Sequence, residues 1–168
     1  MLDQFITRLQ ARQPLPPLFP RQIWDVALSR EIHSATGLSD NERAGLLLWN
    51  DDLEASHTIS QGISTPTGSF WHAIMHRREG DASNSLYWWR RVGNHPAFAE
   101  IYQTVLPVLE SETEKGAVEF KTALSRTEIW LPDEFVRHCE RARNEEWLQR
   151  VQVIEMETLL RWCHQHNE

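Results

Sequence analysis

Apolar residues return at three- and four-residue intervals along most of the chain, and no stretch alternates apolar with polar over a strand's length. That period places side chains on one face of an α-helix. Leu2, Phe5, Ile6 and Leu9 predict a first helix over about 2–12. Pro14-Leu15-Pro16-Pro17-Leu18-Phe19-Pro20 cannot continue it, because proline has no amide donor, and reads as an extended connector lying against the body. Ile23, Trp24, Ala27, Leu28 and Ile32 predict a second helix over 22–35, stopped by Gly37. Ser39 or Asp40 can cap a third, long helix from Asn41 to about Gln61. Thr65-Pro66-Thr67-Gly68-Ser69 breaks the chain, and a helix from about Ser69 to Glu79 follows. Gly80-Asp81 turns into a helix over Asn84 to Val92 that Gly93 ends, and the next starts at Pro96 and runs until Pro107. A charged helix from about Glu112 to Leu124, a loop around Trp130-Leu131-Pro132 and a long helical tail to about His166 complete the chain, with Val151, Ile154, Thr158 and Trp162 on one face of the tail.

The expected fold is therefore all-α, a single-domain multi-helix bundle over residues 1–168. Residues 1–20 form an N-terminal helix and proline-rich connector, and residues 41–98 a core that bears the motifs. Eight tryptophans change this picture in one respect. Each aromatic side chain buries roughly 150–250 Å², so the bundle is expected to have a Trp-rich core.

Charge and composition narrow the partners. A net charge of −7 argues against a nucleic-acid surface, which needs clustered Lys and Arg to displace counterions. No apolar run approaches the ~18–20 residues of a membrane span. Two cysteines, Cys139 and Cys163, are too few for a disulfide framework and lack metal-type spacing. Met1-Leu2-Asp3-Gln4 has no basic-then-apolar form, so the expected location is cytoplasmic. There is no G-x-S-x-G elbow and no glycine-rich phosphate loop, and His138 and Cys139 are adjacent on a helix, about 100° apart, which does not make a dyad.

Candidate chemistry concentrates in Trp71-His72-Ala73-Ile74-Met75-His76-Arg77-Arg78-Glu79-Gly80-Asp81. On a helical wheel, Phe70, Trp71, Ile74 and Met75 share one side, while His72, His76 and Glu79 stack on another at i, i+4 and i+7. Two imidazoles and a carboxylate can ligate a divalent metal such as Zn, Fe, Mn or Ni, provided another element supplies a further ligand. His57, on the preceding helix, is the candidate for that role. The bland alternative for these histidines is a hydrogen-bonded polar lining. Arg78 falls among the apolar positions of the wheel. Either its stem packs while its head reaches water, or it grips a carboxylate or phosphate in two-pronged fashion. Glu54-Ala55-Ser56-His57 has the E-x-x-H spacing of di-iron bundles, but no second copy accompanies it. Between Trp71 and His95 four arginines face only Glu79 and Asp81 as acids, interleaved with Tyr87, Trp88 and Trp89. Such a basic, aromatic patch suits a small anion or a planar ligand, and it is equally the rim of a Trp-rich core. The expected site comprises His57, His72, His76 and Arg78 as catalytic groups, with Asp52, Arg77, Asn84, Trp88 and Arg91 binding a ligand. His57, His72, His76 and Glu79 form the metal set.

The run Asp51-Asp52-Leu53-Glu54-Ala55-Ser56-His57, followed by Thr65 to Asp81, Ser83-Asn84, Tyr87 to Gly93 and His95-Pro96, resembles the signature of an uncharacterised family of small bacterial and fungal proteins. The resemblance covers roughly residues 46 to 98. It brings no activity with it, and Leu86 stands where that family carries a lysine. It implies one site built from the helices around His57, His72 and Asn84. The function expected on this basis is a small-molecule enzyme assisted by a metal. The alternatives are a non-catalytic module for a small anionic ligand and an interaction protein with no catalytic site. Oligomeric state is not legible.

Overall fold

The computed structural model describes residues 1–141 and 145–168. Among the described residues the secondary structure is helical throughout, with no strand. The helices are α1 (Leu2–Gln10), α2 (Val26–Ser34), α3 (Asp40–Trp49), α4 (Leu53–Ser60), α5 (Pro66–Glu79), α6 (Ala82–Val92), α7 (Ala97–Glu110), α8 (Lys115–Thr127), α9 (Pro132–Arg141) and α10 (Glu146–His166). No helix among the described residues is long and apolar enough to cross a membrane.

Helix α5 is the axle of the bundle. Every residue from Thr67 to Arg78 is buried, and α3, α4 and α6 pack around it. Phe70, Trp71 and Ile74 are fully enclosed, each contributing roughly 1.5–3 kcal/mol through removal from water. Two glycines let neighbouring elements come close. A Cβ on Gly45 of α3 would lie 2.6 Å from Trp71 Cη2 and 2.7 Å from Leu160 Cδ2, so only glycine lets α3 receive both side chains. A Cβ on Gly68 would strike the carbonyl oxygen of Ile63, which fixes the α4–α5 connection against the first turn of α5. Trp49, Trp71, Trp130 and Trp147 are all fully buried, as a Trp-rich core requires.

The structure corrects several expected boundaries, each for a local reason. The long helix over 41–61 is two helices, because Asp51 adopts φ +65° between them and Asp52 caps α4 by accepting from the Ala55 amide. The break before α5 is its beginning: Thr65 Oγ1 accepts from the Gly68 amide and Pro66 occupies the first turn, where its missing N–H costs nothing. Residues 22–25 lie outside α2, which Asp25 caps; Trp24 keeps 37% of its surface exposed, with the Arg12 guanidinium 5.0 Å above its ring. Pro107 does not end α7, which continues to Glu110 because Val105 and Leu109 anchor the last turns in the core. The charged helix runs over Lys115–Thr127, and the expected tail comprises α9 and α10; its portion at residues 142–144 lies outside the described residues.

Candidate functional site

Three imidazoles from two helices meet beside α6. His57 extends from α4, and His72 and His76 from successive turns of α5. His57 Nε2 lies 3.0 Å from His72 Nε2, and each of the three residues offers a nitrogen within 4.8 Å of the other two. The His72 and His76 rings stack at 4.7 Å with an interplanar angle of 20°, while His57 approaches both edge-on. His72 and His76 are buried and His57 is half-buried, so the histidine face of α5 looks into the protein, toward α4.

The surroundings orient these rings. Glu79 Oε1 accepts from His76 Nδ1 at 2.5 Å, which leaves His76 Nε2 as the acceptor facing the Asn84 side-chain amide. The Asn84 amide nitrogen lies 3.3 and 3.2 Å from the two His76 ring nitrogens. Asp81 caps α6, its Oδ1 accepting from the Asn84 amide at 3.0 Å and from Ser83 Oγ at 2.8 Å, and these bonds hold its pKa below the usual value. Trp88 stacks on the other side of the His72 ring, with centroids 3.9 Å apart. Burial, reinforced by His76 and then His57, pushes the His72 pKa down to about 4, so this imidazole is neutral at pH 7. Its Nδ1 is buried with no hydrogen-bond partner. An orphaned lone pair costs less than an orphaned N–H, so the His72 proton is assigned to Nε2, which donates it to His57.

The expected residues divide cleanly. His57, His72, His76, Glu79, Asn84 and Trp88 come together, and Arg91 lies 5.2 Å above the Trp88 ring. Arg78 does not join them. It is wholly buried and donates to Asp51 Oδ1 at 2.6 Å, to the Pro17 carbonyl at 3.0 Å and to the Leu48 carbonyl. Its two-pronged grip is thus on the protein itself. Arg77 also turns away, donating to Glu155 Oε2 on α10 at 2.6 Å while its guanidinium lies 4.6 Å over the Phe135 ring. Asp52 serves as the α4 cap and borders a separate depression with His33, Arg43 and Glu54. Cys139 is no nucleophile, since burial pushes its thiol up to about 12.

Three residues that matter here were not expected. Asp51 bridges Arg78 and Arg12, the latter at 2.5 Å. Its signal was the run Asn50-Asp51-Asp52, three residues that favour turns and tolerate positive φ. Arg12 was hidden beyond the end of α1. Glu155 stands four residues after Val151, inside the buried face of α10, and that position was the clue to a buried acid.

A second buried histidine sits at the far end of α5. His95 Nδ1 accepts from the Ala97 amide at 3.1 Å, so its proton is on Nε2, donated to Thr67 Oγ1 at 3.1 Å; Thr67 in turn donates to the Glu168 carboxylate. Burial, opposed by Glu168, pushes the His95 pKa down to about 4 from 6.5. Between those values the unfolded chain binds a proton that the folded chain refuses. The stability contributed is therefore complete above the unfolded pKa and is lost as pH falls toward 4. We expect His95 to account for roughly 1–3 kcal/mol of the stability difference between pH 7 and pH 4. Urea melts of wild type and His95→Gln across that range check it: the variant should show the shallower pH dependence, and equal slopes would refute the assignment.

No family model, curated protein or solved structure matches the chain.

Proposed function

We propose that His57, His72 and His76 bind one divalent metal ion, and that the protein is a metal-assisted enzyme acting on a small molecule. The observation that carries this reading is the convergence of three imidazole nitrogens within 4.8 Å inside a polar niche. Two features support it further. The hydrogen bonding of the trio leaves one atom over: His72 Nδ1 is buried and has no partner. The Glu79 carboxylate on His76 Nδ1 is the outer partner that metal-bound imidazoles generally have, fixing the tautomer that presents Nε2.

Three neutral nitrogen donors suit zinc, and also iron or nickel, better than magnesium or calcium. Three protein ligands with a remaining coordination position form the catalytic pattern, not the closed structural one, and the half-buried His57 gives the niche its route to solvent. Such an ion would supply a lowered pKa for a water it holds, or polarise a substrate oxygen.

Calorimetric titration of chelator-treated protein with zinc is expected to show one site. Glu79→Gln should weaken it by about tenfold and His72→Ala by considerably more. Zinc-loaded wild type should also hydrolyse an activated ester faster than His72→Ala does. Failure of the wild type to bind zinc, iron, nickel or manganese would overturn the proposal. Stoichiometric metal without turnover of any ester, amide or phosphoester would restrict it to a binding module.

A further inference from the structure

The stack that includes His72 continues outward. Trp88 covers the His72 ring at 3.9 Å with only 15° between planes. The Arg91 guanidinium carbon lies 5.2 Å from the Trp88 ring and 6.0 Å from that of Tyr87. His72 occupies one face of Trp88, so the guanidinium belongs to the other side or the edge. The two separations bound its distance from the His72 ring centre to no more than about 9 Å. Each ring contributes a modest attraction that biases the exposed guanidinium toward this position, and its five N–H groups retain their donor capacity. Among the described residues Arg91 has no ion-pair partner, although the chain as a whole is acidic.

The opposite flank of the niche has the other sign. Glu79, Asp81 and Glu140 border an open depression of about 520 Å³ adjoining His76. An anionic molecule entering between the flanks is repelled from that side and attracted to Arg91, and the field orients it before any contact forms. The arginine lies within about 9 Å of the His72 ring, a separation that a small molecule can span with one end on the guanidinium while the other end reacts.

We infer that Arg91, held on Trp88 beside the three imidazoles, binds the carboxylate or phosphate group of the molecule on which the centre acts. This rests on the metal reading above and extends it to a substrate class. A guanidinium fork meets either oxyanion with two parallel hydrogen bonds, whereas lysine offers a point charge.

The test separates the two readings. Zinc is first titrated into chelator-treated wild type, Arg91→Gln, Arg91→Lys and Arg90→Gln. Succinate and methylphosphonate are then titrated separately into each zinc-loaded protein. Arg91→Gln is expected to keep zinc affinity within about threefold, since arginine is no metal ligand, but to lose at least about tenfold in affinity for the preferred anion. Arg91→Lys should fall between. Arg90→Gln removes the same charge from the neighbouring exposed position and should stay within about twofold of wild type. Preference for succinate identifies a carboxylate substrate, and preference for methylphosphonate a phosphate one. Normal zinc binding with equal anion affinities in wild type and Arg91→Gln overturns the role of Arg91 and leaves the metal centre standing. So does an equal loss in Arg90→Gln, which would show only a diffuse charge effect. Absence of zinc binding by the wild type overturns both readings together.

Discussion

Asp51→Ala should lower the unfolding free energy by about 4 kcal/mol, within the range seen when one partner of a buried ion pair is removed. A domain of this size has roughly 5–15 kcal/mol in total, so the variant should be marginal at 25 °C. The loss is large because Asp51 serves two guanidiniums at once. Arg12 and Arg78 are both buried, and each places an N–H on one of its oxygens, at 2.5 and 2.6 Å. Truncation leaves two cations enclosed without a counter-charge. Burial lowers the Arg78 pKa and Asp51 opposes that shift, and because a guanidinium stays protonated, loss of the acid leaves its charge unmatched in the core. The backbone at φ +65° sharpens the comparison. Asparagine tolerates that conformation and retains a hydrogen-bond acceptor, so Asp51→Asn should lose less than Asp51→Ala. Urea unfolding monitored by circular dichroism checks both; a loss below about 1 kcal/mol for Asp51→Ala would refute the account. Asp51 also sets the corner between α3 and α4. Its loss should weaken zinc binding through the position of His57, without touching a ligand.

The second large effect lies on the other side of α5. Arg77 and Glu155 form a fully buried pair at 2.6 Å. Burial pushes the Glu155 carboxyl up in pKa, with Arg77 working against it. Glu155→Ala should cost about 3–5 kcal/mol, since an unmatched guanidinium then remains in the core. The double replacement Arg77→Met with Glu155→Leu should restore most of that loss and could exceed wild type, because packed apolar side chains need no desolvation of charge. Parallel urea melts of the three variants decide it: a double variant no more stable than Glu155→Ala would mean that the pair's geometry itself holds α5 against α10.

These two networks show what periodicity could reveal and what it could not. Helical repeats such as Leu2-Phe5-Ile6-Leu9 were legible, because a single helix carries its own record of which face is covered. The i, i+4 spacing likewise placed His72 and His76 on one turn-to-turn stack, and the structure brings His57 to them. The partners of the arginines were not legible in the same way. Asp51 lies 27 residues from Arg78 and Glu155 lies 78 from Arg77, and a wheel drawn on one helix says nothing about what another presents. The wheel could not decide between the two readings of Arg78. It correctly marked a charge among apolar positions, but a buried fork on an internal acid and an open fork on a ligand look identical from the sequence. The division of the expected helix at 41–61 depended on a single residue's left-handed backbone, which tertiary ion pairs hold in place.

The enclosure of α5 has a consequence for how this protein could be altered. A helix surrounded on every side has no outward positions at which substitutions are free, so Thr67 to Arg78 behaves as one inflexible block. Novelty has to come from its neighbours. Tyr87, Arg90 and Arg91 of α6 and Glu54 and Thr58 of α4 face solvent, and these rims can be rewritten without disturbing the imidazoles. An engineer seeking a new specificity, or a lineage drifting toward one, would keep the axle and vary the rims.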